Sequence, residues 1–330
     1  MTPRDSILRA LRHETPEGRV PHIELEYQLT AEEFGIEAIR GHHLEGKGPA
    51  EVDDLLKRNA DLWVRVAERF HWSAITGTHW LPLPAQCRCL ELIKERAGDT
   101  YMLSAFLDPT HAIPSGEHMM DHVMWLADHA EEAKEKSAQA VRDQLAMARA
   151  LRDSGAEIVF MCSDYCFNTG PFLSPTMFAE FVTPVLTDFV TGLHDLGMWT
   201  VKHTDGDIMP ILDQLMASGT DAIHSIDPMA GVDIREVKRH CQDKVALFGN
   251  VDCSYLQEGE EELIRESTLY ALEHGGVDQG GYVLASSNCI FRGVAQRSYD
   301  VMLEVREEYG FPGRERPAEG IAPPKPMGER

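Results

Sequence analysis

Apolar residues along this chain fall into short runs, and between the runs they recur at helical spacing. Runs near Trp72–Gly77, Tyr101–Phe106, Glu157–Cys162, Met198–Lys202, Ala222–Ile226, Val245–Gly249 and Tyr282–Ser286 have the length and content of strands. Arg19–Glu26 alternates apolar with polar residues and reads as a further strand. A helix through Leu11 precedes it, with Thr2 as cap and Pro3 at the first helical position. The clearest helical stripe, Glu131–Arg152, carries Ala138, Val141, Leu145, Ala148 and Leu151 on one side. Pro175–Leu196, Ile208–Ala217, Ile234–His240, Glu260–His274 and Gln296–Tyr309 follow the same period, whereas Gly35–Leu62 and Leu81–Gly98 show no clear one.

Strand–helix alternation implies parallel strands, and eight strands is the number that closes a β/α barrel. The fold class expected is α/β: a single (β/α)8 TIM-type barrel over residues 1–310, with the active site at the C-terminal strand ends. A doubly wound sheet is the alternative. Neither G-x-G-x-x-G nor G-x-x-x-x-G-K follows a strand, which weakens dinucleotide and nucleoside triphosphate readings. Residues 311–330 hold Pro312, Pro317, Pro323, Pro324 and Pro326 and few apolar residues, and read as an extended arm or a disordered end.

Charge narrows the partners. A net charge of -23 over 330 residues argues against nucleic acid, whose phosphates need a basic surface. No run reaches the length of a membrane span, and the start has no apolar run of signal-peptide length. The seven cysteines lack disulfide or zinc-knuckle spacing, which fits a reducing cytoplasm.

Candidate chemistry gathers where the strands end. Met198–Lys202 runs into His203-Thr204-Asp205-Gly206-Asp207, so an imidazole and carboxylates stand where α/β proteins build active sites. These groups can bind a metal, move a proton or hold a charged substrate. Asp205 is read as a metal ligand, an orienter of His203 or a helix cap, and Asp207 as a cap or first-turn partner of the helix dipole. Asp164, beyond the apolar Ile158–Cys162, is a site carboxylate or a turn residue. His203, Asp164 and Asp205 are the catalytic candidates. Glu24, His79, His224, Asn250 and Asp252, at other strand ends, are the candidates for binding a small-molecule substrate. Glu24 and Glu26 share one strand face, and their surface reading is slightly favoured. Cys289 is a soft ligand beside His203 or a small buried filler.

Five segments carry a resemblance: Arg19-Val20-Pro21; Asp164 through Gly170-Pro171 with Ser174-Pro175; His203-Thr204-Asp205-Gly206; Phe248 through Asp252; and Gly281 through Ser286. Together they make the chain similar to the uroporphyrinogen decarboxylase superfamily, which includes cobalamin-linked methyltransferases. The resemblance implies a β/α barrel and a homodimer. The true decarboxylases clasp porphyrinogen carboxylates with an arginine-rich N-terminal segment, where this chain has the acidic His22-Ile23-Glu24-Leu25-Glu26-Tyr27. The chain resembles the methyltransferase branch more closely. That branch binds zinc through His-x-Cys and a distant Cys, and zinc there activates a thiol that takes a methyl group from a corrinoid. The corresponding metal set here is His203, Asp205 and Cys289, with aspartate at the first cysteine position. No D-x-H-x-x-G segment is present, so a corrinoid is expected on a partner corrinoid protein. A cofactor-free decarboxylase of a small acid or a porphyrinogen-like substrate is the alternative activity.

Overall fold

The computed structural model describes residues 1–328. Its strands are β1 (Ala74–Ile75), β2 (Met102–Phe106), β3 (Ile158–Met161), β4 (Cys166–Phe167), β5 (Gly170–Pro171), β6 (Trp199–Thr204), β7 (Ala222–Ser225), β8 (Ala246–Val251) and β9 (Tyr282–Ser286). Strands β4 and β5 form a small antiparallel hairpin. The other seven form one sheet in the order β1-β2-β3-β6-β7-β8-β9, every pair parallel. Helices separate the consecutive sheet strands, as parallel connections require.

The sheet curls around its own inner face. Alternate residues Ile158 and Phe160, Val201, Ala222, Ala246 and Phe248, and Val283 and Ala285 form an inner cluster with Ala74 and Met102. The intervening positions, among them Val159, Ile223, Leu247 and Leu284, join a second cluster with the surrounding helices. This period of two explains why the runs are apolar throughout: both faces are buried.

The expected eighth strand, Arg19–Glu26, is not a regular strand. Isolated bridges join His22 to Leu284 and Tyr27 to Ile290. The segment lies between β9 and β1: the Leu284 N–H donates to the Pro21 carbonyl at 3.0 Å, and the Ser73 N–H to the His22 carbonyl at 2.7 Å. Pro21 has no N–H to offer and β1 is only two residues long, so no continuous ladder forms.

Helices Pro49–Phe70 and Leu83–Ala97 occupy the two stretches without a clear period. Asn59 lies on the buried face of the first and Gln86 on that of the second, and these polar residues mask the stripe. Pro175–Leu196 is two helices, Pro175–Phe181 and Thr183–Asp195, because Pro184 has no N–H for the Glu180 carbonyl. Residues 311–328 run as an extended arm. Arg316 anchors it, donating to the Tyr309 carbonyl at 3.1 Å and to Asp278 at 2.8 Å. The Met327 N–H donates to the Met229 carbonyl at 2.8 Å. Among the described residues no helix is long and apolar enough to cross a membrane.

Candidate functional site

The inner face of the sheet turns polar at its C-terminal end. Trp199 and Val201 of β6 point inward, and His203 is the next residue of that parity. In β7 the same step runs from Ala222 to His224, and the register sets His203 beside His224. The two rings meet Nδ1 to Nδ1 at 2.8 Å. One of these nitrogens donates and the other accepts, so the tautomers are linked. His203 is 4 % exposed and His224 fully buried. Burial lowers the pKa of His203 to about 4, against the pull of Asp164, and lowers that of His224 still more firmly, helped by His203. Both rings are neutral near pH 7.

The other nitrogen of His203, Nε2, faces two carboxylates. It lies 3.8 Å from Oδ1 of Asp164 and 3.8 Å from Oδ1 of Asp205. Ligand atoms of Asp164, His203 and Asp205 all fall within 4.8 Å of one another. Two local devices bring them together. The Asp205 N–H donates to Oδ1 of Asp164 at 3.2 Å. The chain then turns at Gly206, whose φ is +82°, against the β4–β5 hairpin. A Cβ there would stand 2.6 Å from the carbonyl oxygens of Cys166 and Phe167, so only glycine fits.

Asp205 is held from both sides. Its Oδ1 accepts from the Ser225 hydroxyl at 2.8 Å and its Oδ2 from the Asn288 amide at 2.6 Å. Ser225 and Ile226 both have positive φ, +82° and +51°. Such strain costs on the order of 1–3 kcal/mol per residue and concentrates at functional sites. Burial, reinforced by Asp164, raises the pKa of Asp205 to about 6, although both hydrogen bonds favour the carboxylate. Asp227 is also pushed upward by burial. It accepts from the Gly206 N–H at 3.0 Å and the Met229 N–H at 2.9 Å. Among the described residues no lysine or arginine forms an ion pair with Asp164, Asp205 or Asp227.

The remaining sequence candidates are dispersed around this centre. Glu24 is fully buried, contrary to the surface reading. It accepts from the Ser286 N–H and hydroxyl, and burial raises its pKa to about 8. Glu26 accepts from the Trp80 indole N–H at 2.7 Å. His79 stacks on Phe106 at 4.1 Å and bonds the Thr76 carbonyl at 3.0 Å. Asn250 donates to the Ile226 carbonyl at 2.9 Å, supporting the strained turn below Asp205. Asp252 caps helix Cys253–Glu258 and Asp207 accepts from the Met209 N–H, so both do cap work. Cys289 stands beside Cys253, whose thiol points at the Cys289 carbonyl, and burial pushes the Cys289 thiol upward. Its sulfur is not among the ligand atoms gathered at His203. Asp164 takes that place instead.

Sequence reasoning missed two parts of the site. Asn288 lies among the polar residues past the apolar run Tyr282–Ser286, but that position does not show that its amide reaches Asp205. Lys202 and Asp108 were missed altogether. Lys202 is 0 % exposed, donates to Asp108 at 2.6 Å and to the Ser163 carbonyl at 2.9 Å, and sits 4.0 Å above the Tyr165 ring. Burial alone would raise the Asp108 pKa, but the Lys202 ammonium and the hydrogen bonds from Lys202, Thr110 and Ser163 bring it below the usual carboxylate value. This clasp ties the ends of β2, β3 and β6 together next to the site.

Comparison with known proteins places the whole. Residues 83–309 match the family described as Uroporphyrinogen decarboxylase (URO-D). The uroporphyrinogen decarboxylase of Photobacterium profundum is 29 % identical over 153 residues. That stretch spans 43 % of this chain and only 40 % of that enzyme. A methyltransferase from Methanosarcina mazei superposes with a TM-score of 0.72 over 93 % of this chain and 99 % of its own, at 18 % identity. At that identity the likeness establishes a common fold.

Proposed function

The chain belongs to the uroporphyrinogen decarboxylase family, and from that membership we propose a methyltransferase-type enzyme that moves a methyl group to or from a corrinoid with metal assistance. The observation that carries the proposal is the cluster of Asp164, His203 and Asp205 at the sheet's C-terminal end. One imidazole and two carboxylates within 4.8 Å fit a divalent cation, with zinc suggested by the family resemblance. The set is less thiophilic than one built on cysteines. Bound there, the ion would lower the pKa of a coordinated thiol or alcohol and so supply a nucleophile.

The chain's own residues would prepare that site. Burial keeps His203 neutral, so a lone pair is available on Nε2 when Nδ1 carries the proton and donates it to His224. The His224 proton then lies on Nε2, a buried atom without a partner among the described residues. Ser225 and Asn288 aim the two oxygens of Asp205. Three carboxylates without a basic partner disfavour a polyanionic porphyrinogen and favour a cation. The corrinoid would arrive on a partner protein. Exposed Phe167 and Met209 flank the Gly206 turn and offer apolar surface for it.

A second reading, a cofactor-free decarboxylase of a small acid, draws on one observation. Asp205, raised to about 6, can hold a proton and return it to a carbanion as carbon dioxide leaves.

Elemental analysis of protein purified without a His tag, wild type against His203→Ala, separates the two. Stoichiometric zinc or another divalent ion that is lost in the variant supports metal-assisted methyl transfer. Metal-free wild type that decarboxylates a small acid, at a rate His203→Ala or Asp205→Asn reduces, replaces it with the second reading.

A further inference from the structure

A second concave site lies at the opposite end of the sheet. Helices Pro49–Phe70 and Gln296–Tyr309 end there, and β1 and β2 begin there. A cleft of about 490 Å³ opens among them, lined by Arg19, His71, Tyr101 and Arg306, with Glu17 and Glu68 also on its wall. Volumes of this size accept small organic ligands.

Arg306 has no counter-ion of its own in this cleft among the described residues. Arg306 is 4 % exposed, and its Nε and Nη2 both donate to one acceptor, the Val20 carbonyl, at 3.0 and 2.7 Å. Among the described residues no carboxylate lies within ion-pairing distance of it, and its Nη1 has no hydrogen-bond partner. A buried guanidinium normally has a carboxylate. Arg19 stands close enough to repel it. Arg19 pairs with Glu307 through Nη1, but its Nε is buried with no partner among the described residues. Burial lowers the His71 pKa, and the positive charges of Arg19, Arg306 and Arg69 add to it. Tyr101 is 7 % exposed, and its hydroxyl has no partner among the described residues. The nearby acidic groups leave Arg306 unanswered: Glu307 pairs with Arg19, Glu17 pairs with Arg9 at 2.9 Å, and Glu68 is exposed. The carbonyl ends of the two helices contribute roughly half a negative charge each, spread over several backbone oxygens, and none of them is a carboxylate that could pair with Arg306.

We propose that this cleft binds a phosphate dianion, free or as a monoester, held by Arg306 and Arg19 with Tyr101 and His71 as further donors. Arg306 offers its remaining Nη1 donors and Arg19 can exchange the exposed Glu307 carboxylate for the ligand, so two guanidinium groups reach one anion, which favours a dianion over a monocarboxylate. The site is separate from the Asp164–His203–Asp205 cluster and does not depend on what that cluster does.

The test is titration calorimetry of inorganic phosphate into the full chain at constant ionic strength, with acetate as the competing anion and chloride as the balancing salt. The expected result is saturable binding of one phosphate, at least tenfold tighter than acetate. Arg19→Gln should weaken it about tenfold, the equivalent of about 1.4 kcal/mol. His71→Asn, which suits the left-handed backbone at that position, should weaken it less. Arg19→Gln also gives up the ion pair with Glu307, so melting without phosphate is measured for both variants, and weakened binding by a variant that still unfolds in one cooperative transition separates lost recognition from lost folding. No saturable phosphate binding, binding no tighter than acetate, or binding that both variants leave intact would overturn the proposal.

Discussion

Replacing Lys202 with methionine removes the ammonium from the buried clasp while keeping most of the side-chain volume. The lost contacts are the 2.6 Å ion pair to Asp108, the 2.9 Å hydrogen bond to the Ser163 carbonyl and the cation–π contact to Tyr165. Asp108 keeps the Thr110 N–H at 3.0 Å and the Ser163 N–H at 2.9 Å, but its charge has no counter-ion. Breaking a buried pair in this way costs about 3–5 kcal/mol, a large part of the roughly 5–15 kcal/mol by which domains are stable. The pH dependence changes sign. In wild type the Asp108 pKa is lowered, so its contribution is present above the unfolded value of 3.8 and is lost as pH falls through the folded value. Without Lys202, burial dominates and the folded pKa rises above 3.8. The variant then loses stability as pH rises, and the deficit against wild type is smaller at pH 5 than at pH 8. Urea unfolding followed by tryptophan fluorescence at both pH values measures this, with Lys202→Met/Asp108→Asn expected to recover part of the loss. A deficit under about 1 kcal/mol, the worth of an exposed pair, or one that grows toward low pH, would refute the assignment of the clasp as a buried ion pair.

Three further outcomes are expected. Tyr299→Phe leaves the Trp72 indole N–H and His22 Nε2, now 2.9 and 2.7 Å from the tyrosine hydroxyl, buried without partners, and should cost about 2–4 kcal/mol by urea titration. Glu24, with a folded pKa raised to about 8, stabilises fully below its unfolded value of 4.5 and loses that contribution as pH rises through 8, by at most about 5 kcal/mol. Glu24→Gln should therefore flatten the decline in melting temperature between pH 5 and pH 9, and an unchanged slope would count against a buried, proton-bearing Glu24. Asn288→Ala removes the 2.6 Å bond to Asp205 and should weaken divalent-metal binding by about 10–100-fold with little change in melting temperature, read by competition with a chelating dye.

Much of this arrangement is legible from residues alone. A strand buried on both faces must be apolar throughout, so β2, β3 and β6–β9 announce themselves. The polar residues that follow such strands mark the mouth, and His203, Asp205 and Asp164 are found by that rule. Lys202 escapes it because its partner, Asp108, lies 94 residues away and meets it only past β3, which separates their two strands in the sheet. The segment through Pro21 and Glu26 shows the opposite failure: a strand-like pattern whose proline and short neighbour prevent a ladder.

The sequence by itself determined the order of strands and helices, the acidic balance and the inventory of groups at the strand ends, because these depend on local periodicity and composition. Only the tertiary structure decided which of those groups meet. Asp164, rather than Cys289, stands with His203 and Asp205 because the Gly206 turn packs against the β4–β5 hairpin and the Asp205 N–H holds the Asp164 carboxylate. His224 reaches His203 through the β6–β7 register. Glu24 is buried because its segment lies between β9 and β1. Each of these depends on residues far apart in the chain, and spacing along a single segment carries no record of them.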